Sequence, residues 1–423
     1  MVLTVSMGYG HLRAARPIAS QLGVSVDRVD LPPYARELEV QRWQKTRDWY
    51  EWVSRGAARP RSGFLQRWLL NRLTDIAPRE IPANLSAPSY GARYLKKLIE
   101  GGFGATLVEQ ARKVQRPVIT TFYAVALMLE GKIDQPVYCV VTDTDVNRVW
   151  APVCSRQTAI RYLAPCDEVA QRLYSYGVPT AQVRVTGFPL PDSLVGGRDR
   201  IAAKASLRRR LGRLDPLGTF ARTFHEAVSS ELGPIPEAKG PIQLMFAVGG
   251  AGAQAQLVDG LLPAVGALVD AEELTLVLGA GIRPRVREVF ELAVRRTGLE
   301  RHLGQSVRIL ASDSVDAYLQ QFETELETTD VLLTKPSELI FYAAVGLPLI
   351  LAPAVGVHED RNRQWVTQFG AALDQPEIGK LGWWLRARLA DGSLARAAWN
   401  GFSRLNATGV YAIVDLVTGG WGA

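Results

Sequence analysis

Short apolar runs recur along the whole chain with helical stretches between them, and this feature restricts the possible folds more than any other. Many of the runs are continuous rather than alternating in polarity, as expected for strands buried on both faces of a parallel sheet. The runs are Val2–Ser6, Val118–Thr121, Val137–Thr142, Gln182–Thr186, Gln243–Val248, Leu274–Leu278, Val307–Leu310, Val331–Leu333 and Pro348–Ala352. The pattern predicts an α/β fold.

The strand pattern stops between Gly196 and Pro241, where a basic helical stretch leads into residues spaced by glycine and proline. The length of 423 residues suits two domains of roughly 200 residues each. We therefore predict two doubly wound, Rossmann-like domains that face each other across a cleft. Their predicted bounds are 1–197 and 241–395, with a connection at 198–240 and a C-terminal helical segment at 396–423 that packs back on the first domain.

The 49 Lys and Arg residues exceed the 42 Asp and Glu residues, which gives a net charge of +7. This excess favours an anionic partner such as a nucleoside diphosphate, an acidic lipid surface or nucleic acid. No recognisable DNA or RNA module is present, so we predict no nucleic-acid partner. The three cysteines have neither CxxC spacing nor nearby histidines, so no disulfide framework, zinc site or other metal centre is predicted.

The N-terminus enters an apolar run at Val2 and reaches glycine by Gly8, which leaves no room for a signal peptide. The longest mostly apolar run, Leu347 to Val357, is shorter than the roughly 18–20 residues that span a bilayer. The expected location is the cytoplasm, with any membrane contact peripheral and at the inner face.

A glycine turn opens each predicted domain after its first strand. In the second half, Gly249, Gly250 and Gly252 follow a strand and precede a helix, so their backbone amides can approach a phosphate at the positive end of the helix dipole. A ligand-free tight turn is the alternative interpretation. The spacing matches neither a Walker loop nor the full dinucleotide fingerprint.

A second polar constellation follows two later strands of the same half. One strand ends at Thr334 and is followed by Lys335, Pro336, Ser337 and Glu338, which begin a helix that Gly346 ends. Gly346-Leu-Pro348 then leads into a buried strand and the loop His358-Glu-Asp-Arg-Asn-Arg-Gln364. These motifs resemble the glycosyltransferase-B family that includes the peptidoglycan N-acetylglucosaminyltransferases and the diacylglycerol glycosyltransferases.

The resemblance implies a donor site for a nucleoside diphosphate sugar, with a UDP-sugar favoured. By that resemblance Ser337 and Glu338 lie near the ribose or phosphates, and the sugar lies near His358, Glu359, Asn362 and Gln364. Gly10 and Lys335 are further candidate contacts of the nucleotide sugar. One departure is Phe341, which occupies the position of the family's ribose-binding Glu. Glu338 is then either a shifted replacement or a carboxylate that stabilises a helix N-terminus.

The first half carries the candidate acceptor chemistry. Gly8-Tyr-Gly10-His11 resembles the family's N-terminal glycine loop, and His11 is predicted to accept the proton of an acceptor hydroxyl or, alternatively, to cap a helix. Asp143 resembles the family's Thr-Asp carboxylate, although the family's His is Asn147 here. Asp143-Thr-Asp145 is formally a DxD triplet, a metal motif of a differently folded class, and a capped turn is its alternative interpretation. Thr186–Pro189 is predicted to be a structural turn.

Residues 36–72 hold nine basic and four acidic residues with Trp43, Trp49, Trp52, Phe64 and Trp68 between them. Such a stretch suits an anionic membrane interface and a lipid-linked acceptor. A helix that packs its tryptophans inward behind a solvated Arg face is the competing interpretation.

Together these features predict a metal-independent, cofactor-free glycosyltransferase that uses a hydroxyl acceptor, and the resemblance implies that the reaction inverts the anomeric centre. The alternatives are a non-catalytic nucleotide-sugar-binding protein, which Phe341 and Asn147 favour, and a nucleotide-sugar epimerase or hydrolase on the same fold.

Overall fold

The computed structural model describes residues 1–57, 76–77, 84–237, 240–250, 252 and 254–421. These residues form two parallel sheets of six strands each. The strands are β1 (Val2–Thr4), β2 (Val26–Arg28), β3 (Val118–Thr120), β4 (Val137–Val140), β5 (Arg161–Ala164), β6 (Val183–Val185), β7 (Ile242–Ala247), β8 (Leu274–Gly281), β9 (Val307–Ala311), β10 (Val331–Thr334), β11 (Leu349–Leu351) and β12 (Ala372–Asp374).

Helices connect the strands. The α-helices are α1 (Tyr9–Leu22), α2 (Glu37–Ala57), α3 (Tyr90–Glu100), α4 (Ala105–Lys113), α5 (Tyr123–Leu129), α6 (Asp167–Ser175), α7 (Asp192–Val195), α8 (Ile201–Leu214), α9 (Thr219–Leu232), α10 (Val258–Asp270), α11 (Pro284–Arg296), α12 (Val315–Thr328), α13 (Val357–Gln368), α14 (Leu381–Ala390), α15 (Ser393–Arg404) and α16 (Gly409–Thr418). Short 3₁₀ helices include Arg148–Trp150, Ala255–Leu257, Glu338–Val345 and Ile378–Lys380.

The nine apolar runs of the sequence all coincide with strands, and the predicted α/β class is confirmed. Strands β2, β5 and β12 were not among the predicted strands. Both β2 and β12 are edge strands of three residues that include charged side chains, so they lack the continuous apolar pattern of a central strand. The central strand β5 opens with Arg161, which masks its pattern in the same way.

Each sheet has one switch point, where the strands added later in the chain lie on the opposite side of the first strand from those added earlier. The first sheet has the order β2-β1-β3-β4-β5-β6, and the switch point lies between β1 and β3. The second has the order β12-β11-β10-β7-β8-β9, with the switch point between β7 and β10. In open α/β sheets, ligands bind outside the carboxyl ends of the strands at such a switch point.

The chain divides into two compact units. Unit 1 comprises Met1–Pro191, Val355–Asn362 and Thr408–Ala423, and unit 2 comprises Asp192–Ala354 and Arg363–Ala407. The stretch 198–240 includes helices α8 and α9 of unit 2, and the C-terminal helix α16 packs on α1 in unit 1. Within the described residues, no helix has the length and apolarity required to cross a bilayer.

A buried arginine fixes the loops behind the second sheet. Arg210 of α8 donates to the carbonyl oxygens of Leu326, Thr329 and Val345, at 2.9, 2.7 and 3.0 Å. These carbonyls lie at the ends of α12 and of the 3₁₀ helix Glu338–Val345, where helix geometry leaves them without partners. Burial lowers the pKa of Arg210 to about 9.

Candidate functional site

The first group of candidate residues lies at the switch point of the first sheet. Helix α1 starts after Gly8, whose φ of +91° is in the region that favours glycine, and it carries Gly10 and His11 in its first turn. The adjacent strand ends are joined by a hydrogen bond of 2.8 Å between the hydroxyls of Thr4 and Thr121. His11 is therefore held over the carboxyl ends of β1 and β3.

The hydrogen bond of His11 determines its tautomer. Nδ1 lies 2.7 Å from the carbonyl oxygen of Thr121, and because a carbonyl only accepts, Nδ1 carries the proton. In the neutral imidazole, Nε2 is then the basic nitrogen. Phe122 contacts the ring edge-on, with centroids 4.9 Å apart, and the Thr142 hydroxyl lies 3.5 Å from Nδ1.

Asp143 directly follows Thr142, whose hydroxyl lies near His11. The two predicted catalytic residues, His11 and Asp143, are therefore at the same edge of the sheet. The partly buried Asp143 carboxylate accepts a hydrogen bond of 3.0 Å from Nδ2 of Asn362. Oδ1 of Asn362 accepts from the backbone amide and the hydroxyl of Thr144, at 3.0 and 2.8 Å. Asn362 was predicted to contact the donor sugar, but it is completely buried and engaged with this loop.

Asp145 does not form a carboxylate pair with Asp143. It is buried, and it binds the Nε and the terminal nitrogen of Arg172 on α6 at 2.8 and 3.0 Å. Its Oδ1 also accepts from the amide of Val146. The triplet thus anchors a loop. Across the described ranges, no group of three or more His, Cys, Asp or Glu side chains is placed to hold a metal ion.

The second group lies at the switch point of the second sheet, where β7 and β10 are neighbours. Gly249 follows β7 and Lys335 follows β10. A Cβ atom built on Gly249 would lie 2.6 Å from Cε and 3.5 Å from Nζ of Lys335. The lysine side chain therefore runs across the glycine backbone, and two motifs that are 86 residues apart in the sequence meet.

Arg283 supplies a second cation that the sequence analysis missed. It follows β8 at the start of α11, and its Nε donates to the carbonyl oxygen of Gly250 at 2.5 Å. Its Cδ would lie 3.3 Å from a Cβ on Gly252. The available signal was its place in Gly281-Ile-Arg283-Pro284, a strand end followed by a proline at the first helical turn.

The glycine turn is also stabilised internally. The amide of Gly252 donates to the carbonyl oxygen of Gly249 at 2.8 Å, so this amide serves the turn itself. Gln254 extends the arrangement, because its Nε2 donates to the carbonyl oxygen of Pro353 just after β11. The loops after β7, β8, β10 and β11 thus converge at one edge of the sheet.

The predicted helix after Lys335 is present, and it is a 3₁₀ helix. Ser337 precedes it, the partly buried Glu338 is its first residue, and Gly346 ends it with a φ of +72°. Phe341 is buried and packs on Trp365, with ring centroids 5.4 Å apart. Phe341 is thus part of the apolar core.

Helix α13 carries the last group of predicted residues. Glu359 is buried, and its carboxylate accepts from the amide of Val355 at 2.8 Å. His358 is partly buried and its Nε2 lies 3.9 Å from Glu359, whereas Gln364 is exposed. Glu359 therefore closes the turn before the helix, and of these three residues His358 and Gln364 have solvent-accessible surface.

The turn Thr186–Pro189 supports the C-terminal helix. Gly187 has a φ of +89°, and a Cβ on Gly409 would lie 2.5 Å from the carbonyl oxygen of Phe188. The first residue of α16 therefore packs directly on the backbone of this turn.

The described part of the basic and aromatic segment is divided between the core and the surface. Trp43 is buried against Phe103 and Phe122, with centroid distances of 5.1 and 6.0 Å. Trp49 and Trp52 are 43% and 53% exposed. Trp43 thus packs inward while Trp49 and Trp52 lie at the surface, and the membrane interface stays a prediction. Residues 58–72 of the segment, with Phe64 and Trp68, lie outside the described residues.

No protein-family model matches the chain. A processive diacylglycerol beta-glucosyltransferase of Bacillus cereus strain B4264 is 32% identical over 107 residues, which cover 24% of this chain and 26% of the relative. The same values apply to the corresponding protein of strain G9842. The chain thus matches about a quarter of the length of these curated relatives.

Solved structures are similar to this chain over nearly its full length. UDP-GlcNAc 2-epimerase from Neisseria meningitidis, bound to UDP-GlcNAc, has a TM-score of 0.50 and 12% identity, covering 98% of this chain and 98% of its own. MurG from Acinetobacter baumannii has a TM-score of 0.48 and 13% identity, covering 99% and 98%. At 12% identity, the similarity to the Neisseria meningitidis structure shows the fold alone, a two-domain α/β architecture.

Proposed function

We propose that this chain, a two-domain protein of the glycosyltransferase-B fold, transfers a sugar from a nucleoside diphosphate sugar, with UDP favoured, to a hydroxyl acceptor. The observation that carries the proposal is the meeting of Lys335 with the Gly249 turn at the switch point of the second sheet. A cation over a glycine turn at the carboxyl ends of parallel strands is an arrangement suited to a diphosphate.

In this proposal, unit 2 binds the donor. Lys335 and Arg283 neutralise the diphosphate, whose negative charge grows as the bond to the sugar breaks. Backbone amides of the glycine turn act with them, and this preorganised positive environment stabilises the leaving group. Ser337 and Glu338 follow Lys335 on the same loop and contact the ribose or the phosphates.

Unit 1 activates the acceptor in the same proposal. The tautomer of His11 supports this role, because Nε2 has the lone pair that a general base needs. Nε2 takes the hydroxyl proton, the oxygen forms a bond to the anomeric carbon, and the bond from that carbon to the diphosphate breaks. Asp143 accepts a hydrogen bond from the hydroxyl and orients it. Attack opposite the leaving group inverts the anomeric centre.

The test is to incubate the protein with a panel of sugar nucleotides, with and without a lipid extract, and to measure release of the nucleoside diphosphate. Release that depends on the acceptor supports transfer. Release or sugar isomerisation without an acceptor would replace this proposal with an epimerase or hydrolase.

His11→Asn tests the assigned base. We expect affinity for the donor to remain within about twofold, while turnover falls by about 10²–10⁴-fold, the usual contribution of a general base. His225→Asn is the matched control, since His225 is an exposed histidine of helix α9. Unchanged turnover in His11→Asn would remove this residue from the mechanism.

A second candidate function is binding of a nucleotide sugar without catalysis. The specific observation in its favour is the burial of Phe341 against Trp365, which places no carboxylate at that ribose position. Saturable binding with no turnover of any donor, in the presence of lipid extract, would favour this function.

We further propose that the acceptor is presented at an anionic membrane surface, at the inner face of the membrane. Helix α2 has an exposed stripe at intervals of four and three residues, the spacing of one helix face: Leu38, Arg42, Lys45, Trp49 and Trp52. The stripe holds two cations, two tryptophans and no carboxylate. Such a mixture suits the boundary between headgroups and acyl chains.

Sedimentation with phosphatidylglycerol vesicles tests this surface. Replacing Arg42 and Lys45 by Gln should weaken binding by about 30-fold, since each cation contributes about 1 kcal/mol near an anionic surface. Trp49→Ser should weaken it too. Trp383→Ser is the control, because Trp383 is 73% exposed on unit 2. Equal binding by all these proteins would contradict the assignment.

A further inference from the structure

We infer that Asn362 is a positioning residue that sets the orientation of Asp143, and that it is not a contact of the donor sugar. The inference rests on the proposed function for its catalytic consequence. It assigns to a side chain of helix α13 a role in the acceptor half of the reaction.

Three hydrogen bonds give Asn362 a single orientation. Its Oδ1 faces two donors, the amide and the hydroxyl of Thr144, while its Nδ2 faces the carboxylate of Asp143 at 3.0 Å. A flipped amide would place Nδ2 against the N–H of Thr144 and Oδ1 against a carboxylate oxygen. The Thr144 hydroxyl can accept as well as donate, so the flip replaces two of the three favourable contacts by repulsive ones, and the amide is held in one state.

The burial of Asn362 means that its hydrogen bonds with Asp143 and Thr144 have no substitute from solvent. The side chain of Asn362 is completely buried, so a lost hydrogen bond is not replaced by one to solvent. Asp143 is only partly buried and keeps surface that a ligand can reach. The asparagine therefore lies behind the carboxylate, at a position suited to orient it and not to bind a sugar.

The loop that carries Asp143 is held at Thr144 by Asn362 and also at the next residue, Asp145. The buried ion pair between Asp145 and Arg172 holds the residue after Thr144, and Arg361 approaches the same carboxylate at 4.0 Å. His11 lies on the other side, near Thr142. With residues 144 and 145 held, the Asp143 side chain is the part of the loop whose orientation depends on Asn362.

Two substitutions separate positioning from a general structural role. Asn362→Asp keeps an acceptor for both Thr144 donors but loses the N–H that binds Asp143, and it places a second carboxylate beside the first. Asn362→Leu is of similar size and loses all three bonds. Asn400→Asp is the control, since Asn400 donates to the carbonyl of Gly370 away from this loop.

The activity measurement is the kcat and the affinity for both UDP-sugar and UDP. For Asn362→Asp we expect kcat to fall by about 10–100-fold, part of what a correctly oriented acid or base group contributes. Affinities for UDP-sugar and UDP should both stay within about twofold. A selective loss of UDP-sugar affinity would show a sugar contact and overturn the inference, as would wild-type kcat in Asn362→Asp.

Hydrogen exchange tests the geometry without turnover. The Thr144 amide should stay protected in Asn362→Asp and lose protection in Asn362→Leu, and the side-chain amide of Asn362 should lose protection in Asp143→Ala. If the wild-type protein turns over no donor, the proposed function fails, and these exchange results still decide the positioning. Unaltered protection of the Asn362 side chain in Asp143→Ala would refute it.

Discussion

Gly249→Ala is expected to weaken nucleotide binding without destabilising the protein. The new Cβ would lie 2.6 Å from Cε of Lys335, so the lysine must move away from the turn. A hydrogen bond to a charged group contributes about 1.5–3 kcal/mol, and since the lysine is displaced and not removed, we take the lower end. The Kd for UDP should therefore rise about 10-fold.

Stability should change little, because the φ of Gly249 is not in the positive region and the atom in the way belongs to a flexible side chain. Alanine also restricts the unfolded chain, which stabilises a protein by about 0.4–1 kcal/mol at a compatible position. We expect the free energy of unfolding in urea to stay within about 1 kcal/mol of the wild type.

Calorimetric titration with UDP at a fixed salt concentration, combined with a double-mutant cycle, measures the effect. If Gly249→Ala acts through Lys335, it should have no further effect on Kd in a Lys335→Ala background. Gly379→Ala is the control, since no atom lies within 4 Å of a Cβ at Gly379. Wild-type affinity in Gly249→Ala, or full additivity with Lys335→Ala, would refute the reasoning.

Four further substitutions test the rest of the structure. Arg283→Met should raise the Kd for UDP about 10-fold, whereas Arg285→Met, at an exposed position two residues away, should leave it unchanged in the same titration. Arg172→Met removes the two hydrogen bonds that Arg172 donates to the buried Asp145 carboxylate and leaves it with Arg361 at 4.0 Å, so it should cost about 3–5 kcal/mol in urea unfolding. A loss below about 1 kcal/mol would contradict the buried pair. Gly409→Ala places a Cβ 2.5 Å from the Phe188 carbonyl and should lower stability by about 1–3 kcal/mol, with wild-type stability as the contrary outcome. Burial raises the pKa of Glu130 in the folded state, so over a range of pH the folded protein keeps a proton that the unfolded chain has lost, and stability falls as pH rises from the unfolded-state pKa through the folded-state pKa. Glu130→Gln should remove this fall in the free energy of unfolding, measured in urea between about pH 4 and 8. Parallel plots of unfolding free energy against pH for the two proteins would contradict the raised pKa.

Local pattern was sufficient for the fold class. Continuous apolar runs identify strands buried on both faces, and the glycines after Val5 and Val248 mark the two turns at which helices begin. The same local logic fails for β2, β5 and β12, because short strands with charged residues have no distinctive period.

Several site assignments depended on contacts that no local pattern contains. The approach of Lys335 to Gly249 follows from strand order, which places β10 beside β7 although two strands, β8 and β9, lie between them in the sequence. Arg283 reaches the turn for the same reason. Asn362 lies in a polar motif, and only its burial and its bonds to Asp143 and Thr144 separate a positioning role from a sugar contact.

The sequence by itself determined that the chain forms parallel α/β sheets with glycine turns and polar loops at strand ends, because side-chain polarity and glycine conformation act within a few residues. The tertiary structure alone decided which of these loops meet, which carboxylates are buried against arginine, and which nitrogen of His11 carries the proton. Those properties arise from residues that are distant in the chain, such as Asp145 and Arg172, and the order of strands in each sheet brings them together.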